Sequence, residues 1–379
     1  MINISEPHVD SQELNNLKKI FKSKNFTDAY FQSKAETNIS NIIKRKVFLT
    51  QSCSSALEIA SILLDLKKND EVLVPSYTFT STANAIIMRN AKPIFVEIEK
   101  NNLCIDLNDL EKKITKKTKA IYVVHYGGNC CDLNRLLKIK RKYNLYLVED
   151  AAHAFLAKYK NKFLGTFGDI STFSFHETKN LNGGQCGALV INNKKFLNKI
   201  DVILDKGTDR KRFVNKKKRF LLKSKKYYSW KGYGSEYRAS ELSAAVLCAQ
   251  LNKIKFIQSA RKKVFDKYEY FFQNLNSKNF ITLKNNIHLK SSFHLYVLIF
   301  NKVSEANKFK KYMKKKNIGA TIHYVPLHSS SYGKSISTYK KLPITEDIFL
   351  KVVRLPLHAN LKNHDIKRIF AALKNYFKK

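Results

Sequence analysis

The sequence predicts an α/β protein: a mainly parallel sheet sandwiched by helices over residues 1–252, then a smaller C-terminal α+β domain over 253–379. Three observations point that way. Short β-branched runs alternate with helix-like segments through the first part of the chain. Those runs are apolar almost throughout, as strands buried on both faces are, rather than alternating apolar and polar. From about Ser240 the pattern changes to a long helical stretch followed by antiparallel-looking strands, which places the boundary near Lys253.

The first ~45 residues read as helical and mixed, up to the charged turn Lys44-Arg45-Lys46. VFLTQSCSSALEIASILLDL then reads as a short strand, a turn of small polar residues and an amphipathic helix. DEVLVPSYTFTSTANAIIMRN repeats that unit, with a strand over Glu71–Val74 and a turn opened by Pro75-Ser76. KPIFVEIE, KAIYVVHY and LYLVED are further strands, separated by the helix-like LNDLEKKI and CDLNRLLKIKRKY. Ligands on such a sheet lie beyond the carboxyl ends of its strands, and Ser54, Phe79, His125 and Asp150 fall there. ELSAAVLCAQLNKIKFIQSARKKVFDKYEYFFQNL reads as one long helix, SSFHLYVLIF and GATIHYVPLH as strands, and the C-terminal segment as an amphipathic helix.

No stretch approaches ~20 uninterrupted apolar residues, so no membrane span is expected. The N-terminus MINISEPHVDSQELNNLKKI lacks a basic start followed by an apolar run, and a cytoplasmic protein is expected. Six cysteines (Cys53, Cys104, Cys130, Cys131, Cys186 and Cys248) show neither a CxxC pair nor a zinc-like spacing, which predicts reduced thiols and no metal. A net charge of +40 raises the question of nucleic acid. The lysines are spread along the chain, however, from Lys67-Lys68 through Lys112-Lys113, Lys116-Lys117 and Lys216-Lys217-Lys218 to Lys314-Lys315-Lys316. Abundant Lys, Asn, Ile, Phe and Tyr beside scarce Gly, Pro and Arg is the signature of an AT-rich coding sequence, and no nucleic-acid partner is expected.

Four features at strand ends carry the chemistry. Asp150, in LVEDAAH, suits either a helix cap or a carboxylate paired with a pyridinium nitrogen. Lys179 lies between the serine-rich strand STFSFH and a turn at Gly183-Gly184, where the backbone must approach something closely or take positive φ. A lysine shielded there has a depressed pKa and forms an imine with an aldehyde. Ser54 and Ser55 at a helix start, with Ser174 five residues before Lys179, suit a phosphate cradle or an ordinary cap. Phe79, at the end of the second strand, is by itself an ordinary core ring. Jointly the four describe an aldehyde-bearing phosphate cofactor with a basic ring nitrogen, which is pyridoxal 5′-phosphate.

TQSCSSALEIA, EVLVPSYTFTSTANAI, AIYVVHYGG, LVEDAAHA, LGTFGDISTFSFHETKN and IHYVPLH resemble, in order and spacing, the blocks of the DegT/StrS-type nucleotide-sugar aminotransferases, which are fold-type I enzymes. The resemblance runs from about Ser5 to the C-terminus. It implies Lys179 as the Schiff-base lysine and Asp150 as the partner of the pyridine nitrogen. It also implies His153 beside the ring oxygen, Phe79 stacked on the ring, and Ser54, Ser55 and Ser174 on the phosphate. L-glutamate as donor and a homodimer with active sites at the interface are implied too. SCSSALE, FSFHETKN, DKGTDR and GSEYRASELSAA lean towards members that aminate C4 of TDP-4-oxo-6-deoxy-D-glucose, giving TDP-4-amino-4,6-dideoxy-D-galactose for surface polysaccharide synthesis.

Some positions depart from the family pattern. KSKNFTDAYFQSK lacks the glycines usual where the substrate pocket begins, and Cys186 stands where glycine is common. Glu236 stands where many relatives place an asparagine that reaches the partner's cofactor phosphate; a carboxylate would repel that phosphate, so Glu236 is expected to point elsewhere. His328 faces substrate or is a hydrogen-bonded structural histidine, with the structural role favoured. Lys206 and Arg210 suit a diphosphate or dimer contact and equally a solvated loop. The competing readings are a UDP-linked or C3-specific sugar aminotransferase, a cofactor-binding regulator without turnover, and a basic nucleic-acid-binding protein. A sugar dehydratase is disfavoured because Lys179 is present.

Overall fold

A computed structural model describes residues 1–27, 29–210, 227–275, 279–337 and 341–377; Lys216-Lys217-Lys218 lie outside them. The central sheet has seven strands in the order β1-β9-β8-β5-β4-β2-β3. They are β1 (Lys46–Thr50), β2 (Glu71–Pro75), β3 (Lys92–Val96), β4 (Thr118–Val124), β5 (Tyr146–Asp150), β8 (Ile170–Ser174) and β9 (Gly187–Ile191). From β3 to β8 the pairs are parallel, while β9 runs antiparallel to both β8 and β1. Helices α4 (Thr80–Ile87), α5 (Leu107–Lys112) and α6 (Leu133–Lys142) make the crossovers, as a parallel ladder requires.

Side-chain alternation along the strands feeds two cores. Leu49, Leu73, Ile121, Val123 and Leu147 pack into one face, Phe48, Val72, Val74, Tyr122 and Val148 into the other. This is why the strands read as continuous apolar runs. On the first face lie α1 (Ser11–Ser23), α2 (Tyr30–Ile43) and α8 (Glu241–Asn252). α2 is preceded by Ala29, whose methyl side chain cannot cap the free amides. The buried Glu241 carboxylate does so from α8, accepting from Phe31 N at 2.8 Å and Gln32 N at 3.0 Å.

The long helix expected from Glu241 is two helices. Lys253 ends α8 and precedes α9 (Ile254–Gln273). Its ammonium pairs with Glu13 at 2.6 Å and Asp10 at 3.1 Å, tying the break to the start of α1. Beyond it, α9, α10 (Val303–Lys315) and α13 (Asn363–Phe377) pack on a small antiparallel sheet, β10 (Phe280–Thr282), β12 (Tyr296–Phe300) and β13 (Val352–Leu355). Ile2 also belongs to this cluster and bridges to Ile318, so the first residues pack with the C-terminal part. GATIHYVPLH is not a strand: it makes one bridge, Thr321 to Arg354, and its His323 carbonyl reaches Tyr77 and Tyr126, just past the ends of β2 and β4. All six cysteines are free. No helix among the described residues is long and apolar enough to cross a membrane.

Candidate active site

The carboxyl ends of β2, β4, β5 and β8 open on one cavity of about 620 Å³. It lies at the side of the sheet where the strand order reverses between β2 and β4, the usual ligand position in such folds. One wall is the N-terminus of α3 (Cys53–Leu63). Ser52 caps this helix, its Oγ accepting from Ser55 N at 3.0 Å, and the remaining first-turn amides and the helix dipole favour an anion. Ser54 Oγ is 2.6 Å from Ser81 Oγ and holds α3 against α4. The wall can close only because residue 187 is glycine: a Cβ there would stand 2.3 Å from both Cys53 N and the Ser52 carbonyl carbon.

Asp150 ends β5 and lines the cavity floor. Its Oδ2 accepts from Thr82 Oγ1 at 2.8 Å and its Oδ1 from Ala152 N at 3.1 Å. Thr82 Oγ1 is also 2.9 Å from Thr78 Oγ1. Since the Thr82 proton is spent on the carboxylate, Thr78 must donate to Thr82, giving a relay that fixes Asp150. Burial raises the Asp150 pKa against these hydrogen bonds. Lys179 follows β8 on the turn closed by Gly184 at φ +73°, a left-handed conformation that suits glycine. Burial pulls the Lys179 ammonium down to about 8, opposed by Cys53 and Asp150 and assisted by Arg354.

His153 accepts from Gly127 N at Nδ1 (3.2 Å), so Nε2 carries the proton and faces Tyr324 Oη at 3.2 Å. Burial holds its pKa well below the usual imidazole range, and the ring is neutral. His294 lies 4.4 Å from it, centroid to centroid. His323 and Tyr324 enter the cavity from the GATIHYVPLH segment, with the His323 carbonyl accepting from the hydroxyls of Tyr77 and Tyr126. Phe79 is 57% exposed at the mouth, 6.1 Å from the Tyr324 ring.

A sequence model of the DegT/DnrJ/EryC1/StrS aminotransferase family matches residues 7–374. The chain belongs to that family. An uncharacterised protein of Methanocaldococcus jannaschii is 33% identical over 97% of this chain and 95% of its own length. GDP-perosamine synthase of Escherichia coli O157:H7 is 31% identical over 85% and 83%. Among solved structures, Helicobacter pylori PseC, an aminotransferase involved in the biosynthesis of pseudoaminic acid, superimposes with a TM-score of 0.89 at 25% identity, covering 100% of this chain and 99% of that one. The fold is thus the fold-type I α/β architecture, and the aminotransferase's cofactor is pyridoxal 5′-phosphate.

The aminotransferase's donor set fits that cofactor. A helix N-terminus with Ser54 and Ser174 suits a phosphate, a fixed buried carboxylate suits a ring nitrogen, and a lysine of lowered pKa suits an aldehyde. Of the residues singled out in the sequence, Lys179, Asp150, His153, Phe79, Ser54 and Ser174 line this one cavity. Ser55 does not: its hydroxyl turns back to Ser52 Oγ at 3.1 Å within the cap. Phe79 is no core ring. His125 is buried and bonds Glu149 at 2.8 Å, outside the cavity lining. His328 is structural, between Ser76 Oγ at 2.5 Å and Glu346 at 3.0 Å. Glu236 forms an ion pair with Lys206, and Arg210 pairs with Asp205 at 3.1 Å. Sequence reasoning missed Thr78, Thr82, Ser81, His323 and Tyr324. EVLVPSYTFTSTANAI and IHYVPLH contained them, but only as parts of whole blocks.

Proposed function

We propose that this aminotransferase moves an amino group from L-glutamate to C4 of a nucleotide-linked 4-oxo-6-deoxy hexose, with TDP-4-oxo-6-deoxy-D-glucose as acceptor and TDP-4-amino-4,6-dideoxy-D-galactose as product. The observation that supports it is a lysine with its ammonium lowered to about 8 sharing a cavity with the relay-held Asp150. Bound there, pyridoxal 5′-phosphate supplies an aldehyde that takes up an amino group and a ring that withdraws electrons.

The chain's residues do the rest. Ser54, Ser174 and the first amides of α3 would hold the phosphate, Phe79 and His153 would flank the ring, and Lys179 would carry the aldehyde carbon. Asp150 would keep the ring nitrogen protonated, and Thr82 and Ala152 N–H keep that carboxylate in place. Freed by the donor, the Lys179 amine takes a proton from the donor α-carbon; with the acceptor, it delivers one to C4 of the sugar. A pKa near 8 leaves enough neutral amine at neutral pH for this role. Gln185 lines both this cavity and an adjoining cleft of about 670 Å³ with Gln51, Glu236 and Arg238. We place the second subunit of a homodimer on that cleft.

A GDP-linked 4-oxo-6-deoxy sugar is the second reading, favoured by the name of the E. coli relative. The deciding experiment incubates cofactor-loaded protein with L-glutamate and TDP-, GDP- and UDP-linked 4-oxo sugars and a TDP-linked 3-oxo sugar. Mass spectrometry should show amination of the TDP-4-oxo sugar first. Preferential amination of another sugar replaces the acceptor, and turnover by Lys179→Ala removes the mechanism. Release of 2-oxoglutarate with no sugar aminated would leave a protein that completes only the donor half.

A further inference from the structure

Beside the cavity, behind its lining residue His323, stands a cation that no acidic side chain among the described residues balances. Arg354, on β13, donates its amide to the Thr321 carbonyl at 2.8 Å and stands behind His323. Its Nη1 lies 3.1 Å from His323 Nδ1. Its Nε is buried and has no hydrogen-bond partner among the described residues, nor does the guanidinium form an ion pair with any described aspartate or glutamate. Arg261, which is buried, is by contrast satisfied by the carbonyls of Phe293 at 2.9 Å and His294 at 2.7 Å.

The neighbours of Arg354 supply no negative charge. Burial keeps His153, His294 and His323 neutral and keeps Tyr126 and Tyr324 protonated. A half-buried guanidinium without a counter-charge is unfavourable, and its planar fork matches a carboxylate. Because Nη1 can only donate, His323 Nδ1 accepts and Nε2 carries the ring proton. His323, which lines the cavity, thereby becomes a donor next to the guanidinium.

We propose that Arg354, with the His323 imidazole it orients, binds a carboxylate of the amino donor. The phosphate cradle is on a different wall, at the N-terminus of α3 and Ser174. Arg354 is near enough to Lys179 to help depress its proton affinity. A donor anchored at Arg354 would therefore present its α-carbon towards the amine that removes its proton. The assignment rests on the aminotransferase reading above, but not on which sugar is the acceptor.

The test compares cofactor-loaded wild type, Arg354→Met and Arg354→Lys. Calorimetry with glutarate, a non-reacting dicarboxylate, reads binding; release of 2-oxoglutarate in single turnover reads the donor half-reaction without any sugar. Arg354→Met should lose about 30-fold or more in glutarate affinity and in donor kcat/KM, with the KM of the nucleotide sugar within about twofold of wild type. Arg354→Lys, which keeps the charge without the fork, should lose about five- to tenfold and carries the test if the methionine variant does not fold. Unchanged glutarate affinity overturns the assignment. A defect confined to the sugar KM also overturns it and gives the guanidinium to the nucleotide diphosphate. Failure of every sugar as acceptor, with the donor defect intact, rejects the sugar assignment alone.

Discussion

Replacing Thr82 with valine removes one hydroxyl from the active-site floor and leaves its shape almost unchanged. That hydroxyl donates to Asp150 Oδ2 at 2.8 Å in a buried setting. A hydrogen bond to a charged acceptor contributes about 1.5–3 kcal/mol, and one pKa unit corresponds to about 1.4 kcal/mol. The bond favours the ionised carboxylate, so its loss should raise the Asp150 pKa, already raised by burial, by about 1 to 2 units. In the proposed mechanism activity depends on the ionised form and is lost as pH falls through that pKa. The acid limb of the donor half-reaction should therefore move to higher pH by the same amount. At its plateau the rate should fall by about tenfold or more. The assay is 2-oxoglutarate release in single turnover from pH 5 to 9. Thr78→Val removes only the donor to Thr82 and should cost less than about tenfold. The double variant should fall short of the sum, because both act through one carboxylate. A Thr82→Val enzyme with the wild-type acid limb and plateau would refute the relay.

Three further outcomes follow from the same geometry. Cofactor loading onto the unloaded protein, followed by visible absorbance, should rise about tenfold per pH unit and level off above about 8, because only the neutral Lys179 amine attacks an aldehyde; a profile flat from pH 6 to 9 contradicts the lowered pKa. Gly187→Ala drives a methyl into the backbone of Ser52 and Cys53 and should cost about 3 kcal/mol in thermal or urea unfolding, with loss of cofactor retention; wild-type stability would show that the α3 wall yields freely. Phe79→Ala, at a 57% exposed position, should change stability by less than about 1 kcal/mol yet weaken cofactor retention about two- to tenfold, read by dialysis; unchanged retention would remove the ring from the site.

Much of the fold was legible because periodicity and local turn chemistry act over a few residues. Strands β2 to β5 followed from apolar runs, and the positive φ of Gly184 from paired glycines after Lys179. The break at Lys253 was not legible: the helical pattern runs on through it, and the ion pairs that hold it come from Asp10 and Glu13 at the far end of the chain. That GATIHYVPLH is not a strand was hidden for a similar reason. Its β-branched and aromatic residues suit a strand, yet the segment makes one bridge and leaves His323 and Tyr324 in the cavity.

By itself the sequence determined a parallel α/β sheet and gathered Lys179, Asp150 and Ser54 at strand ends, because side-chain period and turn residues are local properties. Only the tertiary structure decided which groups hold them. Thr82 reaches Asp150 across 68 positions, Ser55 turns into the helix cap, His328 is taken by Glu346, and Arg354 comes from β13 with its Nε unpartnered among the described residues. Hydrogen bonding and desolvation depend on what lies within a few ångströms in space, and residues so distant in sequence become neighbours only when the sheet is assembled.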